Sequence, residues 1–237
     1  MKKANKMQTA VFLIVFITMV GSAIAVAVMM ALAPSVSTES DLRVKSDYVL
    51  MLLQCLLGIV AMLLPSMLER KVGLIIPSRM IVIYAIFLYC AIYLGEVRSF
   101  YYQIANWDNM LHTFSGVMLG ALGFSVISLL NRSDRVPMNL SPLFVAVFAF
   151  CFAVAVGVVW EIYEFAADGI LHTNMQKFAA EGGVDMVGRA ALADTMTDLI
   201  VDSIGAFAVS LVGYISLKFQ KGWVEKLLLR VRKQEEN

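Results

Sequence analysis

Apolar stretches of near-membrane length alternate along this chain with polar connections that are mostly short. Six stretches, at roughly 7–32, 48–67, 76–95, 108–130, 142–167 and 194–217, are predicted to form transmembrane helices. About 20 apolar residues in an α-helix suffice to cross the hydrocarbon core. The expected fold class is therefore all-α: a polytopic membrane helix bundle of about six transmembrane helices plus a C-terminal amphipathic helix. Residues 1–217 make the transmembrane domain and 218–237 a basic cytoplasmic tail. In that tail Phe219, Trp223, Leu227 and Val231 recur at helical spacing among Lys and Arg, which suits a helix lying along a membrane surface. A solvated basic tail that only sets topology accounts for the same pattern. The connection 168–193 is the long one; it carries Gly169, Gly182, Gly183, Gly188 and mixed charges and is expected to be a lid or binding loop.

Composition excludes a soluble globule, since 60% of the residues are hydrophobic and 16% charged. A formal net charge of +1 offers no argument for nucleic acid, so membrane lipid is the expected partner. Cys55, Cys90 and Cys151 lie in apolar runs without CxxC spacing and read as buried small hydrophobes, not as a disulfide framework or zinc site. Lys2, Lys3 and Lys6 precede an apolar run too long for the core of a cleavable signal, so the first span is expected to be retained.

Charge asymmetry orients the spans. Lys2, Lys3, Lys6, Arg70, Lys71, Arg79, Arg132, Arg135 and the tail residues Lys218, Lys221, Lys226, Arg230, Arg232 and Lys233 fall on one side. Only Arg43, Lys45, Arg98, Lys177 and Arg189 fall on the other. The positive-inside rule puts both termini in the cytoplasm.

Against this background the acids stand out. Asp108 and His112 open the fourth span, Glu161 and Glu164 lie near the end of the fifth, and Asp194, Asp198 and Asp202 descend the sixth from its start. On this topology all sit toward one membrane face. Residues three or four apart share a helix face, and Asp202 lies roughly 12 Å further along its helix than Asp194. The polar stripes continue as small residues: Gly116, Gly120 and Gly123; Ala153 and Gly157; Gly205 and Ala206. Small residues mark close helix packing in membranes, so the acidic faces are expected to turn toward one another. So many carboxylates cannot all ionise in one dry cavity. Protons, a basic partner or a bound cation must intervene. Arg98 and Arg189 are the nearest basic candidates by sequence, and a cation or protons is the simpler solution.

Carboxylates with one imidazole suit Mg²⁺, Mn²⁺, Ca²⁺ or an iron-type site better than a thiolate-preferring metal. HExxH is absent, and Glu161/Glu164 is Glu-x-x-Glu, not the Glu-x-x-His of di-iron bundles. The expected ligands are Asp108, Glu161, Asp194, Asp198 and Asp202, with His112 or Glu164 as general base. Blander roles compete: Asp108 and Asp194 as helix N-caps, or a purely structural polar network centred on His112. His172 reads as a solvated loop residue, and Trp107 and Trp160 as interfacial aromatics.

The Asp108-x-x-x-His112-x-x-x-Gly116, Trp160-Glu161-x-x-Glu164 and Asp194-Thr195-x-x-Asp198 runs, the last followed by Gly205-Ala206, resemble the YjdF-like family of uncharacterised bacterial inner-membrane proteins. More loosely the layout is similar to the VanZ-like membrane proteins tied to glycopeptide resistance. The resemblance covers residues 107–206 and implies a shared polar site without an activity. Three functions remain open: a metal-assisted hydrolase or transferase on a lipid-linked envelope substrate, a cation- or proton-coupled transporter, and a non-enzymatic partner in envelope assembly or antibiotic tolerance.

Overall fold

A computed structural model of the chain describes residues 6–34, 45–71, 73–131, 139–179, 184–223 and 229–231. Among the described residues six helices are long and apolar enough to cross a membrane. They are α1 (Lys6–Leu32), α2 (Lys45–Lys71), α3 (Ser78–Leu88) with its π-helical continuation Tyr89–Val97, α5 (Trp107–Asn131), α6 (Pro142–Leu171) and α7 (Arg189–Lys218). A short α4 (Phe100–Gln103) precedes α5, and β1 (Leu74–Ile75) pairs antiparallel with β2 (Arg230–Val231). The fold is all-α and multi-pass, as the hydropathy pattern requires.

Helix ends differ from expectation where polar residues extend an apolar core. The sixth span begins at Arg189 rather than near 194, and the fifth runs to Leu171 rather than 167. The helix expected in the tail does not run through the described tail residues. Gln220 turns at a φ of 50°, the Lys221 amide donates to the Ser216 carbonyl at 2.9 Å, and Arg230–Val231 is extended. Ser216 Oγ also accepts from the Trp223 amide at 3.1 Å, so local hydrogen bonds end the helix where the apolar run ends. Leu227, with the rest of 224–228 and 232–237, lies outside the described residues, as do Lys2, Lys3, Arg43, Arg132, Arg135, Gly182 and Gly183.

Pro65 sits inside α2. Proline donates no backbone hydrogen bond, which leaves the carbonyl four residues earlier without its helical partner. That carbonyl belongs to Ala61, and the Tyr84 hydroxyl of α3 donates to it at 3.1 Å. Tyr84→Phe is expected to cost about 1 kcal/mol, and less when Pro65→Ala restores the helical donor. Thermal unfolding of the two single variants and the double variant in detergent measures the difference.

The chain divides into two compact units: Met1–Leu63, Val82–Asp108 and Trp160–Thr197 form one, and Leu64–Ile81, Asn109–Val159 and Asp198–Asn237 the other. The first is built on Val15, Met19, Cys55, Met62, Ala85, Leu88 and Ile92, with a smaller cluster of Leu50, Ala167 and Met175 against Tyr163. The second packs Phe124, Ile127, Val145, Ala146 and Ala149 against Tyr214 and Leu217. Large apolar side chains such as Ile17 on α1, Val159 on α6 and Phe207 on α7 remain exposed, as faces solvated by lipid tails require. Of the free cysteines Cys55 is buried as expected, whereas Cys151 is exposed on α6.

Candidate functional site

In the second unit the site begins with two glycines. Gly116 of α5 faces the backbone carbonyl of Asp202, and Gly205 of α7 faces that of Thr113; a Cβ at either position would overlap a carbonyl oxygen. With no side chain at these points the two backbones approach closely. The approach carries His112, one turn before Gly116, against the acidic stripe of α7. His112 Nδ1 lies 3.4 Å from Asp202 Oδ2, and Nε2 lies 3.9 Å from Asp198 Oδ2. The imidazole is thus bracketed by carboxylates at both nitrogens. Asp198 and Asp202 are 1% and 4% exposed, deep enough that ionised carboxylates need compensation.

Two further contacts hold Asp202. The Ser115 hydroxyl donates toward Asp202 Oδ1 at 2.7 Å and toward the His112 carbonyl at 2.8 Å, sharing one proton between two acceptors. On the other flank is Gly157 of α6, where a Cβ would lie 2.9 Å from Asp202 Oδ2. Gly157→Ala is expected to push that oxygen away from His112. The loss should be roughly tenfold or more in any function that depends on the pair, as for other residues that orient a ligand. Titration of the His112 imidazole by NMR in the alanine variant, compared with the parent, reads the displacement directly.

Asp108 and Asp194 belong to the first unit, and there a basic partner does intervene. Lys177 Nζ pairs with Asp108 Oδ2, lies 4.0 Å from Asp194 Oδ2, and sits 4.5 Å from the centroid of the Tyr101 ring. The sequence pointed instead to Arg98 and Arg189. Lys177 was not legible as a partner because its position depends on how the loop folds. Nor is Asp194 a helix cap: α7 starts at Arg189 and has no acid in its first turn.

The loop that delivers Lys177 is organised by Asp168, a residue the sequence did not single out. Its buried carboxylate accepts from Thr173 Oγ1 at 2.7 Å, the Met175 amide at 2.7 Å and the Gln176 amide at 2.9 Å. His172 closes α6 in the left-handed region, exposed as expected. The Asn174 side chain pairs with both backbone groups of Ala179, and Gln176 Nε2 donates to Thr195 Oγ1 at 3.0 Å. An acid at the edge of a span with Thr five residues on was the available signal.

Glu161 and Glu164 also lie in the first unit, 5% and 8% exposed. Trp160 Nε1 donates to Glu164 Oε1 at 3.0 Å, one turn along the same helix. Because α6 continues to Leu171, neither glutamate is in its last turn; the acid that stands there, where the helix dipole disfavours negative charge, is Asp168. Trp160 is half exposed, as an interfacial aromatic would be.

A multi-pass membrane protein with buried carboxylates and an imidazole on its last spans is the class these features define. The chain belongs to the family described as "Predicted membrane protein (DUF2238)", which matches residues 13–219. An "Uncharacterized protein" of Thermotoga maritima is 32% identical over 123 residues, which cover 51% of this chain and 54% of that relative. The match therefore spans about half the length of each. No solved structure matches.

Proposed function

We infer that this protein is a membrane enzyme, a metal-assisted hydrolase or transferase acting on a lipid-linked envelope substrate, with its centre at His112, Asp198 and Asp202. The observation that carries this reading is the imidazole bracketed by two buried carboxylates within a membrane span. Asp202, held by Ser115, orients the ring through Nδ1 and so leaves Nε2 facing Asp198. Nε2 and the Asp198 carboxylate are then the pair that holds a divalent cation of the Mg²⁺, Mn²⁺ or Ca²⁺ type. Such an ion supplies Lewis-acid charge at that point. Asp108 and Asp194, the other acids expected as ligands on these helices, pair with Lys177.

A proton or cation relay is the second reading, favoured by the same bracketing: carboxylates at both ring nitrogens are what a shuttle needs. Against a through-path, the crossing below Asp202 is packed by apolar and small groups. Ala206 is fully buried, and Val209 fills the space beside Gly120. The next buried hydroxyl on α7, Ser210, lies roughly 12 Å further along the helix.

The narrower likeness to YjdF-like proteins, and the looser one to VanZ-like proteins, rests on the three acidic runs. That likeness supports a bacterial inner-membrane location, and the excess of Lys and Arg on one side supports cytoplasmic termini. The deciding experiment is Mn²⁺ titration of the purified protein in nanodiscs, read by electron paramagnetic resonance. One saturable ion per chain supports the enzyme. No ion, together with proteoliposome flux that depends on Asp202, supports the relay.

A further inference from the structure

We propose that Asp108, Asp194 and Tyr101 form a socket for a primary ammonium group, which Lys177 fills from within the chain and from which an amine headgroup displaces it. Three elements meet there: the start of α5 brings Asp108, the second turn of α7 brings Asp194, and the segment after the π-helix brings the ring of Tyr101. Two carboxylates and an aromatic face are the chemistry of an organic-ammonium site. A ring face attracts a cation through its quadrupole but offers no lone pair to a hard divalent metal, which takes oxygen ligands.

The group seated in the socket is itself an ammonium, so its preference is on view. The seating is a compromise. Nζ meets Asp108 directly but stays 4.0 Å from Asp194, and Lys177 adopts a φ of 47°, a left-handed conformation that lysine rarely takes. A headgroup free of the tether can settle between both carboxylates.

Release of the lysine does not require the loop to unfold. Asp168, Asn174 and Gln176 anchor residues 172–179 through contacts that do not involve Lys177. The tether nevertheless holds the lysine at a high effective concentration, on the order of millimolar for a short linker. Free amines therefore compete poorly in the wild type, whereas a variant lacking the lysine exposes the socket. This inference does not rest on a metal at His112 and Asp198, and those residues are left intact in its test.

The test is binding of ethylammonium to Lys177→Ala in nanodiscs, followed by saturation-transfer NMR. Lys177→Ser serves where the alanine variant fails to fold. The expected result is saturable binding at least tenfold tighter than to wild type and lost again in Lys177→Ala/Asp194→Asn and in Lys177→Ala/Tyr101→Leu. Tetramethylammonium, which cannot donate hydrogen bonds, should bind at least tenfold more weakly. Native mass spectrometry then separates the sources. Retention of phosphatidylethanolamine over phosphatidylcholine by the variant assigns the socket to a lipid headgroup, and binding of ethanolamine alone assigns it to a soluble amine. Equal ethylammonium binding by wild type and variant, or binding that survives loss of Asp194 and Tyr101, overturns the proposal and leaves Lys177 a structural ion pair.

Discussion

Asp198→Asn is expected to weaken Mn²⁺ binding by more than about 100-fold, and His112→Gln to a similar extent, with Asp202→Asn costing only about 10- to 100-fold. The ordering follows from position. Asp198 Oδ2 and Nε2 of His112 face one another, so each would supply a bond to the ion; Asp202 reaches the site through Nδ1 and acts by holding the ring. Asparagine keeps the shape of aspartate but removes the charge, which separates a lost ligand from a lost fold. Should Asp202→Asn prove as damaging as Asp198→Asn, Asp202 would be a direct ligand. Unaltered binding in all three would place the ion elsewhere. Affinity should also fall as the pH drops, because protons compete with the ion for carboxylates and imidazole alike.

Gly116→Val and Gly205→Val are expected to destabilise the protein by about 3 kcal/mol or more, at the upper end of the cost of overpacking. The reason is what each new side chain would strike. Beside Gly116 and Gly205 the nearest atoms are backbone carbonyl oxygens of the facing helix, which cannot rotate away as a side chain can. The two helices must separate, and His112 then loses Asp202 and Asp198 together. Gly21→Ala is the contrast, since nothing lies within 4 Å of that position and the change should fall within about 0.5 kcal/mol of neutral. Thermal unfolding in mild detergent ranks the three variants; a Gly116 variant as stable as the Gly21 variant would show that the crossing tolerates separation.

The small-residue stripes were legible because small residues repeated on one face of a membrane helix mark close approach, and His112 with Gly116 already implied which face of α5 turned inward. The grouping of the acids was not. By spacing alone Asp194, Asp198 and Asp202 form one series and Asp108 goes with His112, yet Lys177 takes Asp108 and Asp194 while His112 stands against Asp198 and Asp202. Asp168 is hard to read for a related reason: two of its three partners are backbone amides of a loop, and backbone amides carry no sequence signature.

Hydrophobic length and helical period act along the chain itself, so the sequence alone determined six spans, their all-α character and the inward faces of α5 and α7. Partnership between charges depends on distances of a few ångströms between segments far apart in sequence. Only the tertiary structure, through the carbonyl-to-glycine contacts of α5 and α7 and the turn that lifts Lys177 onto Tyr101, decided which acid meets which base.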